Sequence, residues 1–411
     1  MPDSHFIIEV FSEDSTSGVA YKNRLLKRKI INYLDASGNV TIAELTKELN
    51  ISAPKITNLL TDLIDDGLIK DNGKVDSTGG RRASLYGLVA ESCFFIGVDI
   101  KKYEINIGLL DFKKNLVEIK ENIPYRLENS PEAYQELMTI IKSFIEEISI
   151  EKQKILGLGI NLSGRVNHTT GYSYSFFHFH EEPLSQTIKK EIGILTFIQN
   201  DSKAMAYGEF CSGAVSREKN VLFVNIDYGV GLGILIDGKV YYGKSGFSGE
   251  FGHIPFFDNE IICHCGKKGC LETEASGNAL IRNFKKKIEE GSNSSLAKKG
   301  KLMDDLRVVD IVKAAKAEDT LSIELIADIA EKLGKGLAML INLFNPELVI
   351  LGGAVAETGD YIRLPIKSAL NKYALNLVSS DSQLVTSKLG EKAGVLGSCL
   401  MARSRLLMSG E

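Results

Sequence analysis

Apolar residues at helical spacing organise the first ninety positions. Leu25, Leu26, Ile30, Ile31 and Leu34 form one stripe that stops at Ser37-Gly38, which predicts a helix ending there. A second helix follows Thr41, which with Glu44 three residues on makes a capping box. After the turn Asn50-Ile51-Ser52, a third helix is striped by Ile56, Leu59, Leu60, Leu63 and Ile64. Pro54 sits in its first turn, where a missing N–H costs nothing. Three short helices joined by so tight a turn predict a helix-turn-helix. The outer face of the third carries Ser52, Ala53, Lys55, Thr57, Asn58 and Thr61, small and polar side chains able to enter a major groove of double-stranded DNA. Gly67-Leu68-Ile69-Lys70 opens one strand and Ser84 to Leu88 forms a second. Gly79-Gly80-Arg81-Arg82 between them makes a wing tip whose Arg81 and Arg82 suit phosphates or a narrow minor groove. A winged helix can also serve protein contacts alone; lysine, threonine and asparagine in place of carboxylates on the exposed face favour DNA.

Charge sharpens this division. Residues 1–18 hold four acids and no base, and read as a mobile leader, with a short strand as an option for its apolar patch from Phe6. Residues 19–90 hold eleven Lys and Arg against eight Asp and Glu, within a chain of net charge −4. A modestly basic module on an acidic body is compatible with phosphate-backbone binding.

From Phe94 onward the pattern changes to buried strands and glycine turns. Phe95 to Ile100 and Glu104 to Leu110 read as paired strands, followed by Leu116 to Tyr125, a helix from Pro131 to Ile148, and a strand from Ile155 to Leu162. A second set begins at Val221 to Ile226, with glycines at 229, 231 and 233, then Ile234-Leu235-Ile236 and Lys239-Val240-Tyr241. Two β-β-β-α sets predict a duplicated α/β pair with a cleft between its halves. At 411 residues, two or three domains are expected.

The run Gly249-Glu250-Phe251-Gly252-His253, then nine residues, then Cys263-His264-Cys265-Gly266-Lys267-Lys268-Gly269-Cys270-Leu271-Glu272 resembles the signature of the ROK family of repressors and sugar kinases. Asn200-Asp201, Pro346 to Gly353 and Ala393 to Gly397 continue the match. The resemblance covers essentially the whole chain, because repressor members carry a winged helix ahead of the body. It implies a two-lobed, actin-like (ribonuclease H-like) ATPase fold behind the winged helix-turn-helix. The expected layout is a leader at 1–18, a DNA-binding domain at 19–90, one lobe at 91–200 rejoined by a C-terminal helix at about 390–411, and a second lobe at 201–389.

Cys263, Cys265 and Cys270 place three thiolates in one short loop, and His253 precedes them by ten residues. Three sulfurs and one nitrogen make a closed, structural tetrahedral zinc site. His264 is a substitute ligand, though its side chain is expected to point away from its ligating neighbours; the family match favours His253. A reduced, metal-free thiol cluster is the plainer reading, and an oxidation-prone one. Cys93, Cys211 and Cys399 lie in apolar or small-residue surroundings and read as inert core thiols.

By similarity to ROK sugar kinases, Asn200, Asp201, Glu250 and Glu272 would grip sugar hydroxyls, with His253 beside them. In those kinases the aspartate at the Asp201 position takes the proton from the sugar. Taken singly, Asn200-Asp201 is also a helix cap, and Glu250 or Glu272 a surface carboxylate. An aromatic stretch, Tyr172, Tyr174, Phe176, Phe177, His178 and Phe179, stands ready to shape the far side of a sugar.

Two departures from the kinase pattern carry the functional expectation. ROK kinases begin the body with Asp-x-Gly-Gly-Thr; here the run is Asp99-Ile100-Lys101-Lys102-Tyr103. Their second phosphate loop reads Gly-Thr-Gly-x-Gly; here it is Asp227-Tyr228-Gly229-Val230-Gly231. Bulk replaces bare backbone, and Asp227 would set a carboxylate against a polyphosphate. The expectation is a sugar-responsive repressor with no catalytic residue, Asp201 being a vestigial base. The alternative is a working sugar kinase in which Lys101 and Lys102 serve as phosphate point charges. A protein-partner scaffold using neither ligand is a third reading. Symmetric operators call for a dimer, and the ROK resemblance implies a homodimer or homotetramer. No apolar run nears the ~20 residues of a membrane span, and the start lacks a signal-peptide layout, so a cytoplasmic protein is expected.

Overall fold

The computed structural model describes residues 10–11, 18–74, 83–179, 181–298 and 303–408. Its first unit is three helices and a wing: α1 (Val19–Ser37), α2 (Ile42–Leu49), α3 (Ala53–Asp65), and the antiparallel pair β1 (Ile69–Lys74) and β2 (Ser84–Leu88). The capping box forms as expected. Thr41 N donates to Glu44 Oε2 at 2.7 Å, and Glu44 N donates to Thr41 Oγ1 at 3.3 Å. Asn50 ends α2 in the left-handed region at φ 52°, which supplies the tight turn into α3. Ile56, Leu59, Leu60 and Leu63 are buried, whereas Ile64 stays 36% exposed and drops out of the expected stripe.

The expected mobile leader does not hold at Val10 and Phe11. Both are buried, Val10 O accepts from Arg28 Nε at 2.9 Å, and the Phe11 ring meets Phe112 edge-on at 6.2 Å. Two apolar side chains inserted between α1 and the body outweigh the acidic, serine-rich composition around them.

The body contains two five-stranded sheets built to one plan. In the first, β3 (Phe94–Ile100), β4 (Glu104–Asp111), β5 (Leu116–Pro124), β6 (Ile155–Leu162) and β9 (Thr196–Asn200) lie in the order 5-4-3-6-9. In the second, β10 (Val221–Ile226), β11 (Val230–Ile236), β12 (Lys239–Val240), β13 (Leu348–Gly352) and β14 (Gln383–Thr386) lie in the order 12-11-10-13-14. Each begins with an antiparallel meander and continues with two parallel strands. A small hairpin of β7 (Val166–Asn167) and β8 (Tyr172–Ser173) follows β6.

Eight further helices of more than one or two turns complete the description: α4 (Pro131–Glu147), α5 (Leu184–Ile192), α6 (Asp201–Ser212), α7 (Gly277–Glu289), α8 (Val308–Lys316), α9 (Thr320–Phe344), α10 (Asp360–Tyr373) and α11 (Lys392–Met408). Helix α4 follows the first meander, and α7 to α9 follow the second. The strand expected from Ile234 begins earlier, so that Gly231 and Gly233 lie inside β11. The reason is close approach of α6: a Cβ at Gly231 would collide with Ser202, and one at Gly233 with Ala206.

Helices α6 and α11 pack against each other, α6 on β10 and β11 and α11 on β3, β4 and β6. They meet backbone to backbone. A Cβ at Gly208 would lie 2.7 Å from Ala393 O, and one at Gly397 would overlap Ala204 O. Gly397→Ala must therefore push the helices apart, and is expected to cost at least about 1–3 kcal/mol in urea unfolding. An unchanged midpoint would show that the crossing yields freely. The outer face of α11 joins a single apolar cluster with Ile30, Ile31 and Leu34 of α1, through Leu396, Leu400, Leu406 and Leu407.

Candidate functional site

On α3, Thr57, Asn58 and Thr61 are exposed together with Ser52, its N-cap, as a groove-reading face requires. Thr57 and Thr61 hydroxyls donate back to Ala53 O and Thr57 O, 2.9 and 3.0 Å away. Lys55 departs from expectation. It is half-buried, and its Nζ donates to Asn23 Oδ1 of α1 at 2.6 Å, which anchors α3 rather than leaving the ammonium free. Arg81 and Arg82 lie outside the described residues.

A cleft of about 580 Å³ opens between the two sheets, and Asn200, Asp201, Glu250, His253 and Glu272 all line it. Their positions follow from local structure. Asn200 ends β9 and caps α6, its Oδ1 accepting from Lys203 N at 3.2 Å. The cap and cleft readings thus hold at once, because the cap sets Asp201 at the first turn of α6. Asp201 Oδ2 accepts from Ser163 Oγ at 3.0 Å, and Oδ1 accepts from Ser202 N at 2.7 Å and Asn200 Nδ2 at 3.0 Å. Lys203 is only 2% exposed, and its Nζ donates to Ser248 O at 2.7 Å; burial lowers its pKa. Glu272 is buried, not a surface carboxylate, while Glu250 is half-exposed at the rim.

Of the aromatic stretch, Tyr174 and Phe176 reach the cleft. Phe177 goes to the core, its ring 5.8 Å from Tyr134, and His178 N donates to Asn129 Oδ1. The alternation of buried and outward positions in this irregular loop has no period that the sequence reveals.

The two turns whose sequences depart from the kinase pattern close on one another. The Tyr103 and Tyr228 rings meet edge-on at 5.3 Å, and Lys102 Nζ lies 4.4 Å from the Tyr228 ring centroid. Lys101 is held by Glu104 and by Glu391, the residue before α11. Lys101 is thus ion-paired, while Lys102 is exposed and keeps its charge beside the Tyr228 ring. Beneath them Asp99 is fully buried with no hydrogen-bond partner on either carboxylate oxygen. Burial pushes its pKa up to about 7, and burial likewise raises that of Asp227, whose Oδ1 accepts from Tyr228 N at 2.8 Å. Gly352 and Gly353 remain, lining a separate small cavity of about 50 Å³ with Lys101 and Glu391.

At the cleft's other wall, the ligand atoms of His253, Cys263, Cys265 and Cys270 lie within 4.8 Å of one another. Cys265 Sγ is 3.7 Å from Cys270 Sγ, and Cys263 Sγ is 3.4 Å from His253 Nδ1. Those are near the roughly 3.8 Å edges of a tetrahedron with ~2.3 Å metal–sulfur bonds. The cluster can hold a metal ion. Gly269, at φ 68°, lets the loop turn against Phe257 O, where a Cβ would overlap. His264 does not point away, contrary to expectation: its Nδ1 lies 2.8 Å from Glu272 Oε1, and with His253 and Glu272 it forms a second group able to hold a metal. Glu272 Oε1 also touches Cys263 Sγ at 2.9 Å, so one carboxylate joins the metal loop to the cleft.

Comparison with known proteins fits this geometry. A profile described as the ROK family matches residues 95–405. The chain belongs to the ROK family. A winged helix-turn-helix DNA-binding profile matches residues 24–70, ahead of the ROK domain. The chain is similar to the xylose repressor of Caldicellulosiruptor bescii, with 28% identity over 388 residues, 94% of this chain and 96% of that one. Among solved structures it is similar to a ROK family transcriptional regulator homologous to the Escherichia coli Mlc protein, at a TM-score of 0.79 and 25% identity, covering 94% of this chain and 97% of that one. It is also similar to a ROK glucokinase from Streptomyces griseus in complex with glucose and AMPPNP, at a TM-score of 0.67 and 27% identity, covering 76% and 99%. The ROK fold and the winged helix expected from the sequence are thereby established. Among the described residues, no helix is long and apolar enough to cross a membrane.

Proposed function

We propose that this ROK protein is a cytoplasmic, sugar-responsive repressor of carbohydrate-use genes that binds a double-stranded operator as a homodimer or homotetramer and transfers no phosphate. In this reading a winged-helix domain (19–90) precedes one lobe (91–200, with 390–411) and a second (201–389). One observation carries it. Five hydroxyl-gripping side chains converge on a single cleft, while Tyr103, Lys102 and Tyr228 fill the turns that a nucleotide's phosphates would need. Asn200, Asp201, Glu250, His253 and Glu272 hold the sugar, and Asp201 acts as a ligand, not a base. Zinc is held by His253, Cys263, Cys265 and Cys270, closed on four protein ligands and so structural. Sugar binding acts on DNA by its different affinity for two lobe arrangements.

The test is an electrophoretic shift of operator DNA, expected to be relieved by one sugar from a panel that includes xylose, glucose and N-acetylglucosamine. Asn58→Ala is expected to weaken specific binding by about 1–3 kcal/mol and leave non-specific binding unchanged. Equal losses on both kinds of DNA would remove α3 as the reader. The second reading, a working kinase, is favoured by similarity to a glucokinase of Halalkalibacterium halodurans, 29% identical over 307 residues. Sugar-dependent ADP release from the purified chain would establish that reading in place of the first.

A further inference from the structure

Two carboxylates of the cleft stand on unequal supports. Asp201 is fixed in the first turn of α6, where Ser202 N and Asn200 Nδ2 donate to it. Glu250 closes an irregular segment, 241–250, that lies outside every helix and strand and leaves its side chain 37% exposed. Carboxylates carried so differently grip neighbouring hydroxyls together only if something sets their spacing. Lys203 is placed to do so. It shares the first turn of α6 with Asp201, and its Nζ donates to Ser248 O at 2.7 Å, two residues before Glu250. Ser248 is itself tied to the rest of its segment, because its Oγ donates to Tyr241 O at 2.5 Å and its N to Tyr242 O at 3.2 Å. Gly249 follows at φ 82°, where a Cβ would overlap Leu232 O, so the segment rests on β11 at the very next residue.

Burying an ammonium is costly, and a lysine kept only to neutralise a carboxylate would pair with it. Lys203 is 2% exposed, yet Glu250 and Asp201 act on it through charge alone, while its hydrogen bond goes to main chain. Resting on the sugar-responsive reading, we infer that Lys203 is a positioning residue for the sugar, which holds the Glu250 segment against α6 so that Glu250 and Asp201 meet one ligand together. Its ammonium also lessens the repulsion between the two carboxylates that this closeness creates. Released from Lys203, the segment would let Glu250 drift, and the hydrogen bond that Glu250 accepts from a hydroxyl would be lost with it.

The experiment is isothermal titration of the full chain with xylose, glucose and N-acetylglucosamine, followed by the sugar that binds on each variant. Lys203→Met, which keeps length and removes the donor, is expected to weaken that sugar at least about tenfold. Lys203→Gln, too short to reach Ser248 O, serves in its place if the methionine variant does not fold. Lys203→Arg keeps a charged donor beside an open cleft and is expected to stay within about threefold of the parent. Because Lys203 acts through Glu250, Glu250→Gln/Lys203→Met is expected to bind no more than about threefold more weakly than Glu250→Gln alone. Losses that multiply would give Lys203 a sugar contact of its own and overturn the inference. So would a methionine variant that binds like the parent, or an arginine variant as weak as the methionine one, which would leave Lys203 a packing role only. If none of the three sugars binds the parent chain, the sugar-responsive reading itself fails and this inference falls with it.

Discussion

Arg403→Met is expected to lower the free energy of unfolding by about 1.5–3 kcal/mol, the range for losing hydrogen bonds made by a buried charged group. Arg403 stands on α11 with its side chain 5% exposed, and its guanidinium forks onto Asp35 of α1, with Nη2 2.7 Å from Oδ1 and Nη1 3.2 Å from Oδ2. Its Nε also donates to Phe112 O at 3.1 Å, and the group stacks 5.2 Å from the Phe112 ring centroid. Methionine fills the volume but leaves a carbonyl unpaired and Asp35 with Lys114 as its remaining ion partner, at 2.8 Å. Removing both charges, as in Asp35→Leu/Arg403→Met, is expected to restore most of the loss, because the desolvation penalty disappears with the pair. Urea unfolding of the three variants measures this. A double variant as unstable as Arg403→Met alone would show that the pair does more than neutralise a buried charge. The same contact joins the DNA-binding domain to the helix that packs under the cleft, so the sugar response of operator binding in Arg403→Met should weaken even where both domains stay folded.

Cys270→Ser is expected to reduce bound zinc from about one per chain to none, with sugar affinity falling at least about tenfold. Cys270 is fully buried, and its sulfur sits 3.7 Å from Cys265. A serine hydroxyl is a poor substitute for thiolate as a zinc ligand. The effect reaches the cleft because His253 and Glu272 belong to both places: Glu272 Oε1 lies 2.9 Å from Cys263 Sγ and 3.5 Å from His253 Nδ1. Elemental analysis reads the metal and calorimetry reads the sugar, while non-specific DNA affinity serves as the control for an intact winged helix. A variant that keeps its zinc, or loses it with no change in sugar affinity, would refute the proposed link.

Local patterns were legible where one segment settles its own structure. Thr41 and Glu44 announced their helix start, Ile155 to Leu162 read as a strand of just that length, and the cysteine spacing located a cluster of ligand atoms able to hold a metal. What escaped depends on partners far along the chain. Asp35 and Arg403 are 368 positions apart, and nothing near either marks the other. Val10 and Phe11 sit in an acidic, serine-rich leader, where composition argued for mobility and burial against Phe112 decided otherwise. Gly231 and Gly233 were left outside the strand expected from Ile234, because glycine marks a chain reversal and a close helix contact equally well. His264 was expected to follow the alternation of its neighbours, but a carboxylate from Glu272 draws it back to the cluster. Lys55, on the exposed side of its helix, was claimed by Asn23 instead of solvent.

The crossing of α6 and α11 has one more consequence. With Gly208 and Gly397 letting main chain rest on main chain, no side chains cushion that point, so the crossing resists compression and leaves rotation as the easier movement between α6 and α11. In the proposed sugar-responsive reading this crossing is the fulcrum, and the apolar face of α11 that packs on α1 is the arm of the lever. On that reading, a small closure at a bound hydroxyl would become a larger swing at α3.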